Sequence, residues 1–242
     1  MSDRSSDDSK KSGRNYIASA LFGALTIALA GWLWPSAIPF GAFDFWPMRG
    51  TVGDWLSSAW PAFAWGGGLT AIIAFATRNK REVNRDAEGI LIGGTIISLW
   101  AGVMEEICFR WLIFLSTIFW GKVVNFILLG FMGWGIPEHL FLWIFRPLAD
   151  FTTLHGLHAT LYSQHGWAIG AAMLGANGLF RDGHKYLGFF GYLNSWFMGM
   201  FFFWIMFSYG LPAAILVHFL YDLLIFGIRY VDAAIERAQG NA

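Results

Sequence analysis

The chain has 242 residues, of which 56% are hydrophobic and only 13% are charged, about half the charged share of an ordinary soluble domain. A soluble core of this size could not bury so much apolar surface, whereas a bilayer accommodates it, and the 14 Trp and 24 Phe suit its two interfaces. The formal net charge of zero argues against a nucleic-acid partner, and a single cysteine, Cys108, excludes an intramolecular disulfide framework. The sequence therefore predicts an all-α fold, a polytopic transmembrane helical bundle.

The N-terminal part is predicted to contain a polar tail and two membrane spans. Residues 1–15 are polar and mixed in charge, which predicts a disordered tail, and no cleavable signal is expected because the apolar stretch that follows is long. A helical span needs roughly 20 mostly apolar residues. We expect the first span at 16–34, where Pro35 ends it, and the second at 55–77, with an interfacial loop at 40–54 between them.

The remaining spans are expected to follow a dense charge run at residues 78–88. A third span begins near Gly89, and the apolar sequence continues beyond it without a break. Residues 146–165 are amphipathic and rich in histidine. Further spans are expected at 123–145, interrupted by Gly135-Ile136-Pro137, and at 166–181, 187–208 and 211–230, which makes seven or eight in total.

The distribution of Lys and Arg predicts the orientation of the chain in the membrane. The tail at 1–15 and the loop at 78–88 each contain four basic residues, whereas the loop at 40–54 contains only Arg49. Basic segments flanking membrane spans lie mostly on the cytoplasmic side. Because two spans separate the tail from the 78–88 loop, both belong on one side, and the N-terminus is predicted to be cytoplasmic.

Two acidic residues and one arginine interrupt the apolar sequence after residue 89. An ionisable group at mid-depth in a span costs at least ~2.5–3.5 kcal/mol on insertion scales, so such groups tend to be paired, hydrated or functional. Glu106 and Arg110 are i,i+4 neighbours that can form an ion pair. Glu105 is rotated by about 100° from Glu106, which leaves its carboxylate available, although the pair could also serve only to join helices.

Histidines form the second polar group in the apolar sequence. His218 and Asp222 share a helix face, and Asp222 could hold the tautomer of His218, or both could face one ligand. The alternative is a histidine satisfied within the core. His184 is expected at a helix end or in a short loop.

The other histidines, His139, His155, His158 and His165, are expected to be interfacial. His155 and His158 are three residues apart and could share a metal ion. The sequence contains no His-Glu-x-x-His pattern and no Ser-His-Asp pattern on an apolar face. No cofactor is therefore expected at the polar cluster, whereas dependence on a metal stays open.

Taken together, these residues resemble the CAAX protease and bacteriocin-processing enzyme family (CPBP, also called Abi) of intramembrane glutamate endopeptidases. The Glu-Glu-x-x-x-Arg motif of the family is matched at 105–110, and its His-x-x-x-Asn or His-x-x-x-Asp motif is matched at 218–222. The resemblance implies a protease core at 89–230 with an insertion at 122–166, preceded by N-terminal spans and the basic loop at 16–88.

The Phe-x-x-x-His motif of the family is matched twice, by Phe180 with His184 and by Phe151 with His155. We choose His184, because one long span and a short turn separate it from His218, as in most family members. His155 is the reserve candidate. The Arg-Asp-Gly sequence directly before His184 departs from the family pattern, in which that place is apolar and small.

The resemblance implies a role for each matched residue. Glu105 would act as the general base on water, with His184 helping to position that water, while Glu106 and Arg110 would fix the helix. His218 and Asp222 would stabilise the oxyanion or orient the carbonyl. In family members with asparagine at this position, the side-chain amide donates a hydrogen bond directly. Asp222 can donate one only when it is protonated, and otherwise it would act through His218.

The expected function is cleavage of a membrane-associated or lipidated peptide in a prokaryotic inner membrane, where short loops are typical. The bilayer and a peptide or lipidated-protein substrate are the expected partners. Two other readings remain open: a non-enzymatic scaffold or immunity protein of the same fold, and a transporter or metal-binding membrane protein that uses the same polar cluster.

Overall fold

The fold is known from a computed structural model that describes residues 3–77 and 87–240. Within these two ranges every regular element is helical, which confirms the all-α prediction for the described part. The first four α-helices are α1 (Asp3–Leu33), α2 (Val52–Thr77), α3 (Ala87–Glu105) and α4 (Phe114–Ile127), with a π-helical segment, Glu106–Ile113, joining α3 to α4. The remaining α-helices are α5 (Ile136–Leu140), α6 (Arg146–Thr152), α7 (His158–Leu161), α8 (Gly166–Gly183), α9 (Gly188–Tyr209) and α10 (Leu211–Gly240).

Four helical stretches among the described residues are long and apolar enough to cross a membrane: Val52–Thr77, Ala87–Ile127, Lys185–Tyr209 and Leu211–Gln239. The apolar part of α1, Ile17–Leu33, is shorter. By length and composition these helices indicate an integral membrane protein. The predicted total of seven or eight spans is not confirmed.

Large apolar side chains point outward from these helices. Trp32, Phe75 and Trp100 are 79%, 78% and 58% exposed. Exposing such areas to water would be unfavourable by ~25 cal/mol per Å², and soluble monomers rarely expose large apolar patches. The helices therefore present a surface that suits lipid acyl chains.

The N-terminal helix differs from the sequence prediction. Residues 1–15 were predicted to be a disordered tail, yet α1 begins at Asp3 and runs without interruption to Leu33. A helix nucleated by an apolar span adds one hydrogen bond for each further residue. Polar residues next to a span can therefore continue its helix, which composition alone does not indicate.

The predicted span at 123–145 does not form a single helix. The helix that began at Ala87 continues to Ile127, and a turn follows in which Leu129 and Gly133 have positive φ. Pro137 then occupies the first turn of the short α5, a position that suits proline. Residues 78–86, which make up most of the predicted basic loop at 78–88, lie outside the described residues.

Helix α10 packs against α2, α3 and α9, and α8 packs against α4 and α9. Glycine permits close contact at two of these interfaces. A side chain at Gly94 of α3 would collide with Phe226 of α10, and one at Gly66 of α2 would collide with Tyr221. Small residues allow membrane helices to approach closely in this way, so α10 can pack closely against both α2 and α3.

A tight turn joins α9 to α10. Gly210 has a φ of 101°, which favours glycine. Arg49 holds this turn, because its backbone N–H donates to the Tyr209 carbonyl at 2.9 Å and its guanidinium donates to the Phe207 carbonyl at 3.1 Å. The two last helices therefore run side by side, with their inner faces directed at the π-helical segment.

Candidate functional site

The π-helical segment contains a fully buried ion pair. Arg110 Nη1 lies 3.2 Å from Glu106 Oε1, and neither side chain is exposed. The i,i+4 pair predicted from the sequence is therefore present. π-Helical segments inside α-helices occur frequently at functional sites, and this eight-residue segment begins directly after Glu105, the last residue of α3.

Glu106 has a second partner that sequence spacing did not indicate. The Nδ1 atom of His218 lies 2.8 Å from Glu106 Oε1, although the two residues are 112 positions apart. An ionised carboxylate only accepts hydrogen bonds, so Nδ1 carries the proton. Asp222 Oδ2 lies 3.6 Å from the other ring nitrogen, Nε2. Glu106, rather than Asp222, thus takes the hydrogen bond that orients the His218 ring.

His184 follows α8 as its C-cap. Its Nδ1 atom lies 2.8 Å from the carbonyl oxygen of Phe180. A carbonyl can only accept, so Nδ1 donates, and in the neutral ring Nε2 is left as an acceptor. That Nε2 atom lies 4.0 Å from Oε2 of Glu105. A backbone contact within one helix turn therefore sets the tautomer of this histidine.

Glu105 is the point at which both histidines meet. Its Oε2 atom lies 4.0 Å from Nε2 of His184 and 4.0 Å from Nε2 of His218. The structure therefore brings Glu105, His184, His218 and Asp222 together from three separate helical regions. Their side chains are mostly buried, with exposed fractions from 4% for His218 to 25% for Asp222.

His155, the reserve candidate for the second motif, occupies a different place. Its Nδ1 atom lies 2.8 Å from Asp150 Oδ2, between α6 and α7, and its side chain is 70% exposed. His158 contacts the same carboxylate oxygen at 2.9 Å. Of the two histidines that match the second motif, His184 is the one found beside Glu105.

Aromatic rings enclose the polar cluster. The Arg110 guanidinium lies 4.0 Å from the centroid of the Phe180 ring, a cation–π arrangement, and the Phe180 ring is 4.6 Å from that of His184. Phe202 of α9 stacks on His218 at 4.5 Å with an interplanar angle of 20°. Phe180 belongs to a motif, but Phe202 carries no sequence signal because its contact is made only in the folded bundle.

Gly199 of α9 is a further residue that sequence reasoning missed. A Cβ at this position would collide with Asn177 Oδ1 and come within 3.0 Å of Arg110 Nη2. The missing side chain lets α9 approach α8 at the level of the ion pair. Asn177 is itself buried, and its amide donates to the Trp196 carbonyl at 2.9 Å.

The unusual Arg-Asp-Gly sequence before His184 has a structural role at the end of α8. Asp182 accepts hydrogen bonds from Lys185 at 3.1 Å, from Arg181 at 2.9 Å and from the Tyr192 hydroxyl at 2.9 Å. These bonds, from Lys185 first, lower the pKa of Asp182 to about 2. The ionised carboxylate thereby links the end of α8 to α9 on either side of His184.

A cavity of about 970 Å³ adjoins the cluster. Its walls come from α2, α3, α9 and α10, and they are largely apolar, whereas His184, His218 and Asp222 supply polar groups at one place. Such a combination of apolar walls and a few convergent polar groups is typical of a ligand site. The cavity is large enough for a short stretch of extended peptide or for an acyl chain.

The cluster thus combines a carboxylate, two differently oriented imidazoles and a buried ion pair beside an apolar cavity. Comparison of the chain with protein-family profiles, with curated proteins and with solved structures finds no match. The residues and their geometry are therefore the basis on which a function can be assigned.

Proposed function

We propose that the protein is an intramembrane endopeptidase of the CAAX protease and Abi type, which hydrolyses a peptide bond in a membrane-associated or lipidated peptide. The observation that carries the proposal is the position of Glu105 Oε2, 4.0 Å from Nε2 of both His184 and His218, because both histidines line an apolar cavity. A cluster that served only to join helices would not need an adjoining cavity of this size.

Glu105 and His184 would position the attacking water. A separation of 4.0 Å is too long for a direct hydrogen bond, but it allows one water molecule to donate to both atoms. Because Nδ1 of His184 donates to the Phe180 carbonyl, its Nε2 can accept one of the two water protons. The oxygen lone pair of that water is then directed away from both acceptors, toward a scissile carbonyl in the cavity.

Glu105 would act as the general base. It takes one proton from the water as the oxygen attacks the carbonyl carbon, and it returns that proton to the departing amine nitrogen when the C–N bond breaks. One water is consumed, and a carboxylate and an amine are formed. General acid–base catalysis of this kind contributes typically 10²–10⁴-fold to a rate.

His218 would stabilise the oxyanion. The hydrogen bond from its Nδ1 to the Glu106 carboxylate favours a positively charged ring, as a carboxylate does for a catalytic imidazole. The Nε2–H group then donates to the developing negative charge, an electrostatic contribution that is usually among the largest in catalysis. Asp222, 3.6 Å from the same Nε2, would act through His218 rather than as a direct donor.

The proposal includes the setting of the enzyme. The short connections between helices suit a prokaryotic inner membrane, and the Lys and Arg distribution supports a cytoplasmic N-terminus. Seven or eight crossings remain the proposed total, with α1, α8 and the short helices at 136–161 as candidates beyond the four long stretches.

The test is the replacement of Glu105 by glutamine in the purified protein. Peptides with and without a prenyl group, embedded in nanodiscs, are incubated in H₂¹⁸O, and products are identified by mass spectrometry. We expect the wild type to produce a new C-terminus that contains one ¹⁸O, and Glu105→Gln to lower the rate by ~10²-fold or more, with unchanged circular dichroism and elution.

Glu138→Gln is the matched control, because it makes the same change of charge in α5, where Glu138 contacts Asn125. It should retain wild-type turnover. Undiminished cleavage by Glu105→Gln would contradict the mechanism, and the absence of cleavage by the wild type across the peptide set would favour a non-enzymatic scaffold.

A further inference from the structure

A second polar cluster lies between α6 and α7, apart from the proposed active site. The Oδ2 atom of Asp150 accepts from Nδ1 of His155 at 2.8 Å and from Nδ1 of His158 at 2.9 Å. Asp150 is only 4% exposed, whereas the two imidazole side chains are 70% and 56% exposed. Three donor atoms of metal-binding type therefore converge, all within 4.8 Å of one another.

The backbone is strained where it brings these groups together. Leu154 and His155 have φ angles of 50° and 60°, in the left-handed region that is unfavourable for such side chains. The turn is closed by the His155 N–H, which donates to the Asp150 carbonyl at 2.9 Å. Backbone strain of this kind clusters at ligand sites, where the surrounding structure maintains it.

The Asp150 carboxylate has unused binding capacity. Its Oδ1 atom is buried and has no hydrogen-bond partner among the described residues, which is uncommon for a buried carboxylate oxygen. The second oxygen of this buried carboxylate is therefore available to a further ligand.

We propose that Asp150, His155 and His158 bind one divalent transition-metal ion, with Zn²⁺ as the best match. Two imidazole nitrogens and one carboxylate oxygen form a ligand set that suits Zn²⁺. Tetrahedral ligands at the usual bond lengths lie ~3.3 Å apart. The two contacts of Asp150 with the histidines, at 2.8 Å and 2.9 Å, would widen by a few tenths of an ångström, and the two Nδ1 atoms, which lie within 4.8 Å of each other, would adjust to the same separation. When the metal binds, each neutral imidazole takes the tautomer with its proton on Nε2, which leaves the Nδ1 lone pair for the metal.

The proposed metal site lies at the two ends of the loop from Asp150 to His158, beside a second cavity. This cavity is apolar, has a volume of about 520 Å³ and is lined by four residues of the loop: Thr152, Thr153, Leu154 and Gly156. The fit is close, since a side chain at Gly156 would collide with the Trp204 indole. A bound metal would therefore hold one wall of this cavity in place, independently of any proteolytic activity.

The experiment uses the full chain, purified in detergent without a polyhistidine tag and treated with chelator. Co²⁺ is titrated as a spectroscopic probe, followed by Zn²⁺. We expect one equivalent of Co²⁺ to give the visible absorption of a four-coordinate site, Zn²⁺ to abolish that absorption, and one equivalent of Zn²⁺ to raise the melting temperature, because a ligand that binds only the folded state stabilises it.

Two variants and one control make the test specific. His155→Asn suits the left-handed backbone, because asparagine tolerates that region, and His158→Gln alters an exposed side chain, so both variants should fold. Each should weaken Co²⁺ binding by at least about tenfold. Altering a residue that only contacts a metal ligand already weakens metal binding by about 10–100-fold, and the loss of a ligand should have no smaller effect. His139→Asn, which alters a histidine of α5, should bind like the wild type.

The proposal is overturned by either of two results. One is the absence of saturable, stoichiometric Co²⁺ or Zn²⁺ binding by the wild type. The other is equal binding by His155→Asn, His158→Gln and the His139→Asn control. In both cases the cluster would be only a hydrogen-bonded closure of the α6–α7 loop.

Discussion

At the scale of single residues, Glu106 is the centre of the buried polar cluster. It forms an ion pair with Arg110 at 3.2 Å and accepts the hydrogen bond of His218 at 2.8 Å, through the same oxygen. A buried charge is tolerated when it is paired, but removal of one partner leaves an uncompensated charge. The Arg110 side chain is therefore expected to be more important for folding than for chemistry.

The pairing of Arg110 with Glu106 predicts a specific double-mutant result. Arg110→Met should destabilise the protein by ~3–5 kcal/mol, because it leaves the Glu106 charge buried without its guanidinium. Adding Glu106→Gln should recover part of this loss, since the amide carries no charge and its oxygen can still accept from His218. Thermal unfolding of the single and double variants in the same detergent measures the coupling.

Strict additivity of the two effects would show that the ion pair contributes nothing to stability. Loss of activity in Arg110→Met at unchanged melting temperature would instead assign Arg110 to the chemistry.

At the scale of helices, the position of α10 depends on glycines of its neighbours. Gly94 of α3 faces Phe226, whereas the preceding residue, Gly93, has open space where a side chain would be. The two positions therefore share a helix and a residue type but differ in packing. Because α10 carries His218 and Asp222, its distance from α3 also sets the geometry of the polar cluster.

Comparison of Gly94→Ala with Gly93→Ala tests this packing. Both changes gain helix propensity of up to about 1 kcal/mol. Only Gly94→Ala adds a methyl group against the Phe226 ring, and such overpacking typically costs ~1–3 kcal/mol. We expect the melting temperature of Gly94→Ala to fall below that of Gly93→Ala.

Equal melting temperatures for the two alanine variants would mean that α10 can move away from α3 without cost. In that case peptide cleavage should be measured as well, because a displaced α10 would also displace His218.

At the scale of the whole molecule, the proposed orientation of the chain in the membrane rests on the distribution of charge and not on contacts within the fold. The basic N-terminal tail and the basic residues at 78–88 are separated by two apolar stretches, Ile17–Leu33 and Val52–Thr77. The connection at 34–51 should then face the opposite side of the membrane. Met48 in this connection is 69% exposed and so offers an accessible position for labelling.

Labelling of single cysteines tests the orientation in intact bacterial cells. In a Cys108→Ala background, a membrane-impermeant maleimide should label Met48→Cys in intact cells, and should label Ser12→Cys and Asn79→Cys only after lysis. The physical reason is that Lys- and Arg-rich segments are retained on the cytoplasmic side. Labelling of Ser12→Cys in intact cells would reverse the proposed orientation.

The sequence predicted most of the helical fold, with two instructive failures. Apolar length indicated α2, α9 and the apolar part of α10, because a span is a local property of about 20 residues. It did not indicate that α1 would extend back to Asp3, nor that the predicted span at 123–145 would be divided by an irregular turn at 128–135. Helix ends depend on propagation and on glycine and proline geometry, which hydropathy does not describe.

The contacts that the sequence determined by itself are those within one helix. Glu106 with Arg110 and His218 with Asp222 are four residues apart, and helical geometry places such residues on one face whatever surrounds them. Only the tertiary structure decided which groups meet across helices: Glu106 with His218, Phe202 with His218, and His184 rather than His155 beside Glu105. These contacts depend on how α8, α9 and α10 pack against the π-helical segment, and that packing is set by the fit of side chains from distant parts of the chain.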